Sequence, residues 1–414
     1  MKPPQIAVIA TTYSPFSHAD VIVSRYLEAW PDDQSVGWAP QTQIASLFVD
    51  QFPPRAWGEI PKNERERTYQ ADVDMARWVS RQYDVPLYDS IRAALCLGGE
   101  ELAVDGVLLI GEHGNYPLNE RGQKLYPRRE FFEQIVAVFR ESKRVVPLFC
   151  DKALSYDPVS ARQMAQTIEA LKIPFLGGSS LPQSGFALGT SGQEPPPDAF
   201  IEEMVLCFSA GPEAYGFHSI DWSHALLEGR GAGTLKSLRV YEGEAVWNAL
   251  ENGAWSRDLF EAMLAQCQLS SNRCGEIKAN CLDATLHREA SRARSEFLIS
   301  PVAFTLQYED AAHQNATRVT HCFLKGHTND FALALRWRDE SGEPHVFAAR
   351  SGSSDPADVP LGHFARLNAQ IQAMILSGHS SVPLRRTLDS SLATAAVMEA
   401  LWRQAPTGTE TAFS

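Results

Sequence analysis

The 414-residue chain has no surplus of positive charge, no closely paired cysteines and no long apolar run. Its net charge is −13, and without a basic stripe to meet phosphates we expect no nucleic-acid partner. No uninterrupted apolar stretch reaches the roughly 18 residues of a membrane span, so no membrane association is expected. The seven cysteines include no C-x-x-C pair, which argues against a structural zinc site, and no metal is predicted.

Common catalytic and targeting signatures are missing as well. There is no G-x-S-x-G elbow, no H-E-x-x-H helix and no Walker loop. The first segment, MKPPQIAVIATTY, lacks the apolar core and cleavage site of a signal peptide, so we expect a cytoplasmic protein. Cys267, Cys274 and Cys281 fall seven apart, and we interpret them as reduced, partly buried thiols. The three cations between Lys124 and Arg129 are interpreted as a solvated face.

The first 180 residues alternate apolar, strand-like runs with amphipathic helical stretches, beginning with QIAVIAT and HADVIVSRYLEAW. This alternation predicts a parallel sheet with right-handed crossovers. Residues 181–200 are rich in Pro, Gly and Ser and are predicted to form a linker or lid. Alternating runs such as VAFTLQYED then indicate a mainly antiparallel sheet, and the last 50 residues are helical.

We therefore predict an α/β protein of two domains. Residues 1–180 form a Rossmann-type, nucleotide-binding-like domain, and residues 181–414 form an α+β domain for substrate binding and oligomerisation. The second domain is expected to leave one sheet face exposed, because few helices remain to cover it.

Ligands of such sheets bind beyond the carboxyl ends of the strands. After the fourth strand, GEHGNYPLNERGQKLYPRREFFE places Glu112 beside His113, a credible acid/base or metal-ligand pair. Asn115 and Tyr116 in the same loop are substrate-binding candidates, unless the loop is an ordered turn whose side chains satisfy one another. Ser179, in GGSSLPQS, either binds substrate or ends its strand.

Two further segments carry a family resemblance. LFCDKALSYDPVSARQ contains Asp151, Lys152, Ala153 and Leu154 at a strand end, and GFHSIDWSHALLEG contains Gly-x-His-x-x-Asp with His218 and Asp221. With the order of elements, these segments make the chain similar to the glucose–fructose oxidoreductase and inositol dehydrogenase family.

The resemblance implies that Lys152 sits beside substrate and nicotinamide, that His218 transfers the hydroxyl proton, and that Asp151 and Asp221 contact substrate. A lysine at a strand end can polarise a substrate oxygen, and a histidine titrates near neutrality. The sequence departs from the family at Ala153, where proline is usual, and at Ala214, where an acid is frequent. A surface lysine and a capping histidine are the alternative interpretations.

The first strand and helix, IAVIATTYSPFSHADVI, match the family in kind but lack its glycines. The G-x-G-x-x-G positions hold Ala10, Thr12 and Pro15, which weakens ordinary docking of NAD or NADP because glycine lets the backbone approach a pyrophosphate. The residues left as cofactor-binding candidates carry hydroxyl, imidazole or carboxylate groups: Thr11, Thr12, Ser14, Ser17, His18 and Asp50.

Three functions remain open from the sequence. The first is an NAD(P)-dependent oxidoreductase acting on a hydroxyl of a sugar-like or small polar substrate. The second is a non-redox lyase, isomerase or hydrolase that uses Glu112, His113, Lys152 and His218 as acids and bases. The third is a catalytically inactive binding protein. The resemblance also implies a homo-oligomer.

Overall fold

The computed structural model describes residues 2–30, 33, 36–62, 68–208, 210–267, 301–310, 315–324, 328, 330–354, 361–403 and 411–412. These residues form two compact units. Unit 1 comprises Met1–Pro117, Lys124–Gln183 and Val359–Ser391, and unit 2 comprises Leu118–Gln123, Ser184–Asp358 and Leu392–Ser414. This division differs from a single boundary at 180/181, because residues 359–391 return to unit 1.

Unit 1 is built on a six-stranded sheet whose strand pairs are all parallel. Its strands are β1 (Gln5–Ala10), β2 (Gln43–Val49), β5 (Leu87–Tyr88), β6 (Gly106–Ile110), β7 (Leu148–Asp151) and β8 (Phe175–Gly178). Their spatial order is β5-β2-β1-β6-β7-β8, that of a doubly wound dinucleotide-binding fold. Two short strands, β3 (Arg55–Ala56) and β4 (Val73–Asp74), pair separately.

The strands of unit 1 are apolar on both faces because helices cover both faces. Its helices are α1 (His18–Leu27), α2 (Ala76–Tyr83), α3 (Ile91–Leu95), α4 (Arg128–Glu141), α5 (Pro158–Leu171) and α9 (Gly362–Ser377), with the first part of α10 (Leu384–Trp402). Short 3-10 helices lie at Trp57–Glu59 and Leu181–Ser184. Helix α5 begins as the sequence indicates: Asp157 accepts from the Ser160 amide, and Pro158 occupies the first helical position.

Unit 2 is built on an eight-stranded, mainly antiparallel sheet. Its strands are β9 (Ser191–Gly192), β10 (Phe200–Phe208), β11 (Thr234–Glu242), β12 (Val302–Asp310), β13 (Asn315–Phe323), β14 (Ala332–Arg338), β15 (Pro344–Arg350) and β16 (Thr411–Ala412). The order is β16-β11-β12-β13-β10-β14-β15-β9, and β10 with β13 is a parallel pair within it. A 3-10 helix lies at Gly352–Ser354. The two sheets together confirm the predicted fold class.

The expectation of a bare sheet face in unit 2 is wrong for the strands described. Consecutive residues Met204 and Val205 of β10 point to opposite faces, and both are fully buried. Helix α6 (Ala214–Leu227) packs on β10 and β13, while α7 (Glu244–Glu251) packs on β11 and α8 (Arg257–Leu264) packs on β10, β14 and β15. The predicted homo-oligomer therefore stays a prediction, and an exposed sheet face no longer supports it.

Five cysteines, at 96, 150, 207, 267 and 322, are buried free thiols, as interpreted for Cys267. Cys274 and Cys281 lie outside the described residues. Within the part of the chain that the structure describes, no helix is both long and apolar enough to cross a bilayer.

Candidate active site at the carboxyl edge of the first sheet

The strand order of unit 1 reverses between β1 and β6, and the loops that leave these strands meet at that point. The Thr11 amide donates to the Ile110 carbonyl at 3.1 Å, and the Thr11 hydroxyl donates to the Glu112 carbonyl at 2.6 Å. In open parallel sheets this switch point is where ligands bind. Residues 11–18, 111–116 and 151–152 all lie at or next to this edge.

Glu112 is a buried carboxylate held between two cations. Its Oε2 lies 3.3 Å from Lys152 Nζ, and its Oε1 accepts from the Arg128 guanidinium. Burial alone would raise the pKa of Glu112, but Lys152 and Arg128 outweigh burial and hold this pKa well below its usual range. Gly111 makes room for the arrangement, because a Cβ there would lie 2.5 Å from Arg128 Cγ. Arg128 is thus a buried partner, and its assignment to a solvated face is wrong.

Two functional candidates sit in backbone conformations that side-chain-bearing residues rarely adopt. Lys152 has φ 63° and His113 has φ 67°, and they follow the neighbouring strands β7 and β6. Such a conformation costs on the order of 1–3 kcal/mol and persists only where the surrounding structure enforces it. Two hydrogen bonds with Gly178 do so at Lys152, whose amide donates at 3.0 Å and whose carbonyl accepts at 3.1 Å.

His18, the first residue of α1, pairs with Asp151 at the end of β7. His18 Nδ1 lies 2.6 Å from Asp151 Oδ2, and the Asp151 side chain is almost fully buried. Because a carboxylate only accepts, the proton of the neutral imidazole resides on Nδ1 and the lone pair on Nε2. The structure therefore pairs His18, a predicted cofactor-binding residue, with Asp151, a predicted substrate-binding residue. This pairing fixes the orientation of the His18 ring.

Aromatic rings surround this histidine. The His18 ring centroid lies 5.2 Å from that of His113 and 5.4 Å from that of Phe364, and His113 lies 4.5 Å from Tyr69. Beside Phe364, burial lowers the pKa of His363 to about 3, with Arg25, His18 and Arg366 contributing, so this imidazole is neutral.

The sequence interpretation missed Tyr69, Arg128, His363 and Phe364. His363 and Phe364 reach the first unit on α9, more than 200 residues downstream of Lys152 in the chain, so no local pattern marks them. Among the residues that the structure describes, no group of three or more His, Cys, Asp or Glu side chains is placed to hold a metal ion.

The remaining candidates of unit 1 make hydrogen bonds within that unit. The Tyr116 hydroxyl donates to Asp50 at 2.6 Å, and burial together with this acceptor raises the pKa of Tyr116. The Asn115 amide donates to Gln51 at 2.7 Å. Ser179 is buried and its hydroxyl accepts from the Leu181 amide at 2.9 Å. The contacts of Tyr116 and Asn115 tie the loop after β6 to the end of β2.

His218 and Asp221 lie in unit 2, within α6. His218 is an interior residue of this helix, and its half-buried ring lies 6.0 Å from the Tyr215 ring and 6.1 Å from the Phe331 ring. Asp221 is fully buried. That His218 acts together with Lys152 stays a prediction.

The loop after β1 lacks the glycines that let a backbone approach a dinucleotide pyrophosphate. Ala10, Thr12 and Pro15 replace the glycines, and all three are buried. The Thr11 and Ser14 amides donate to Ile110 and to the Ser17 hydroxyl within the protein, and Pro15 has no N–H. The Thr12 and Ser14 hydroxyls lie 3.4 Å apart, and Ser17 caps α1. The donors expected to replace the glycines are therefore engaged inside the protein.

Comparisons with known proteins agree on the fold. The chain is similar to GenD2 from gentamicin A biosynthesis, solved in complex with NAD, with a TM-score of 0.52 and 11% identity over 100% of this chain and 97% of that one. It is also similar to apo scyllo-inositol dehydrogenase from Lactobacillus casei, with a TM-score of 0.51 and 10% identity over 99% and 98%. No protein-family profile and no curated protein matches the sequence. The chain thus has the fold of inositol dehydrogenase-type oxidoreductases.

Proposed function

We propose that this protein is an enzyme that moves a proton on a small, sugar-like substrate at the carboxyl edge of the first sheet, without hydride transfer. The observation that carries the proposal is the pairing of His18 with Asp151 beside the buried Lys152–Glu112–Arg128 cluster. Isomerisation and elimination next to a carbonyl or hydroxyl are the reaction classes that such an arrangement serves.

His18 is the proposed acid/base. The 2.6 Å contact with Asp151 fixes the ring and its tautomer, and it stabilises the imidazolium that forms when Nε2 accepts a proton. A histidine held in this way can take a proton from the substrate at Nε2 and return it. Asp151 is a positioning residue, because it acts through His18.

Lys152 is the proposed electrophile. When a base removes a proton from carbon next to a carbonyl, negative charge develops on the carbonyl oxygen, and an ammonium group stabilises that charge. Glu112 orients the Lys152 ammonium, and Arg128 supplies the second positive charge that keeps Glu112 ionised. We therefore assign Glu112 to positioning rather than to proton transfer.

His113 and the nearby aromatic rings are proposed to complete the substrate site. Tyr69 and Phe364 offer apolar ring faces or edges beside the two imidazoles, and polar sugar-like molecules bind where a few polar groups converge among such rings. His218, within α6 of unit 2, remains a separate acid/base candidate predicted from the sequence.

Deuterium exchange tests the proposal across a range of candidate substrates. The protein is incubated in D2O with a panel of ketoses, uronates and sugar acids, and NMR detects carbon-bound deuterium or a changed product. We expect the wild-type protein to act on at least one member, and Lys152→Met and His18→Gln each to lower the rate by about 100-fold or more.

Matched controls separate this loss from a fold defect. Lys172→Met changes another lysine with left-handed backbone (φ 53°), which ends α5, and His379→Gln changes an exposed histidine. Both controls should keep full activity. Equal activity in Lys152→Met and Lys172→Met would contradict the assignment of Lys152.

The shared fold supports a second candidate, an NAD(P)-dependent oxidoreductase acting on a hydroxyl of a sugar-like substrate. The similarity of the chain to GenD2, solved in complex with NAD, at a TM-score of 0.52 favours this candidate. The burial of the loop between β1 and α1 argues against it. Spectroscopic detection of substrate-dependent NAD(P) reduction would select it over the non-redox proposal.

A further inference from the structure

The N-terminus of α1 already holds an anion that belongs to the chain. The Asp20 carboxylate is buried, and its Oδ2 accepts from the Phe16 amide at 2.9 Å while its Oδ1 accepts from the Ser24 hydroxyl at 2.5 Å. Phe16 has φ 57°, which places it in the left-handed region that favours glycine. The turn before the helix thus directs a backbone donor to an internal carboxylate.

The same turn is covered by protein. The Gln70 amide donates to the Pro15 carbonyl at 3.3 Å, and the Met75 amide donates to the Tyr13 carbonyl at 2.8 Å. Tyr13 is fully buried, and its hydroxyl lies 2.7 Å from that of Ser24, the residue that donates to Asp20. Segment 70–75 therefore packs directly over the loop that a pyrophosphate would contact.

We infer that the chain has closed the phosphate site of this fold from within: Asp20 and Tyr13, under segment 70–75, take the place of a dinucleotide pyrophosphate at α1. In this fold the pyrophosphate normally sits at the first helix N-terminus because backbone N–H groups and the helix dipole attract negative charge. Here the Asp20 carboxylate accepts from the Phe16 amide just before the helix cap, and the Ser17 hydroxyl accepts from the Asp20 amide. A diphosphate at this position would meet a buried like charge.

Titration calorimetry with NAD and with NADP tests the inference on wild-type protein and on Asp20→Asn. Asparagine keeps an acceptor for the Phe16 amide and removes the charge. We expect neither protein to bind at α1, so no saturable heat should appear up to about 1 mM ligand. Hydrogen–deuterium exchange gives a second readout without any variant: amides 11–20 should be strongly protected and unchanged by either dinucleotide.

The outcomes separate this inference from the proposed function. Saturable binding that Asp20→Asn tightens tenfold or more would overturn the closure, because it would place a phosphate beside residue 20. Dinucleotide-induced protection of amides 11–20 would overturn it as well. Binding that Asp20→Asn leaves unchanged, without altered exchange at 11–20, places the ligand elsewhere; the closure then stands, and the redox candidate gains support.

Discussion

Asp20→Asn should gain stability relative to wild type as the pH rises, whereas replacing a carboxylate with a lowered pKa has the opposite effect. Burial, opposed by the hydrogen bonds from Ser24 and Phe16, raises the pKa of Asp20 from 3.8 to about 6. The folded protein therefore binds this proton more tightly than the unfolded chain does. Its stabilising contribution is complete below about pH 4 and is lost as the pH rises through about 6.

The size of the effect follows from the shift. About two pKa units at 1.36 kcal/mol each give about 3 kcal/mol. Asparagine does not titrate, so the stability of the variant relative to wild type should rise by about 3 kcal/mol between pH 4 and pH 7. The variant keeps the other titratable residues that interact electrostatically with residue 20, which are Tyr13, Arg25, Glu28 and Tyr83.

Thermal unfolding across this pH range measures the difference. For a domain of about 150–250 residues such as unit 1, 3 kcal/mol corresponds to a change of roughly 6–12 °C in the Tm of the variant relative to wild type. Asp74→Asn is the matched control, since Asp74 is a buried carboxylate that accepts from the Ala76 amide and pairs with Arg77. That variant should be less stable than wild type and remain so at pH 7. Parallel Tm curves for Asp20→Asn and wild type would refute the reasoning.

Three further predictions concern the site and the assembly. His113→Ala should lower turnover by about 100-fold with little change in Tm, whereas a variant that unfolds would make this histidine structural. His218→Ala should lower turnover with little change in Tm if this histidine is an acid/base, as predicted from the sequence; unchanged turnover would remove His218 from the mechanism. Sedimentation at micromolar concentration should show a homo-oligomer, and a monomer would contradict that expectation.

Much of the fold could be predicted from the sequence because apolar periodicity is a local property. The strands of unit 1 are short apolar runs followed by polar loops, and their alternation with helices determines a parallel sheet. The same logic identified Glu112, His113, Asp151 and Lys152 as residues at strand ends that face a common edge.

The pairings within the site could not be predicted in this way. His18 and Asp151 are 133 residues apart, and only the strand order brings the end of β7 to the start of α1. Arg128 appears in a run of cations that suggests solvent exposure, yet Gly111 admits it to a buried position beside Glu112. Asp20 has the appearance of an ordinary acid in a first helical turn, and no local pattern marks it as buried, although its side chain is buried in the structure.

Nucleotide analysis of the purified, active protein tests the central claim most directly. The protein is denatured by heat, the supernatant is searched for nicotinamide nucleotides in both oxidation states, and deuterium exchange into substrate is measured with no nucleotide added. The account predicts no released nicotinamide and exchange that depends on Lys152 and His18. Stoichiometric release of NAD or NADP, with turnover only when the nucleotide is present, would contradict it.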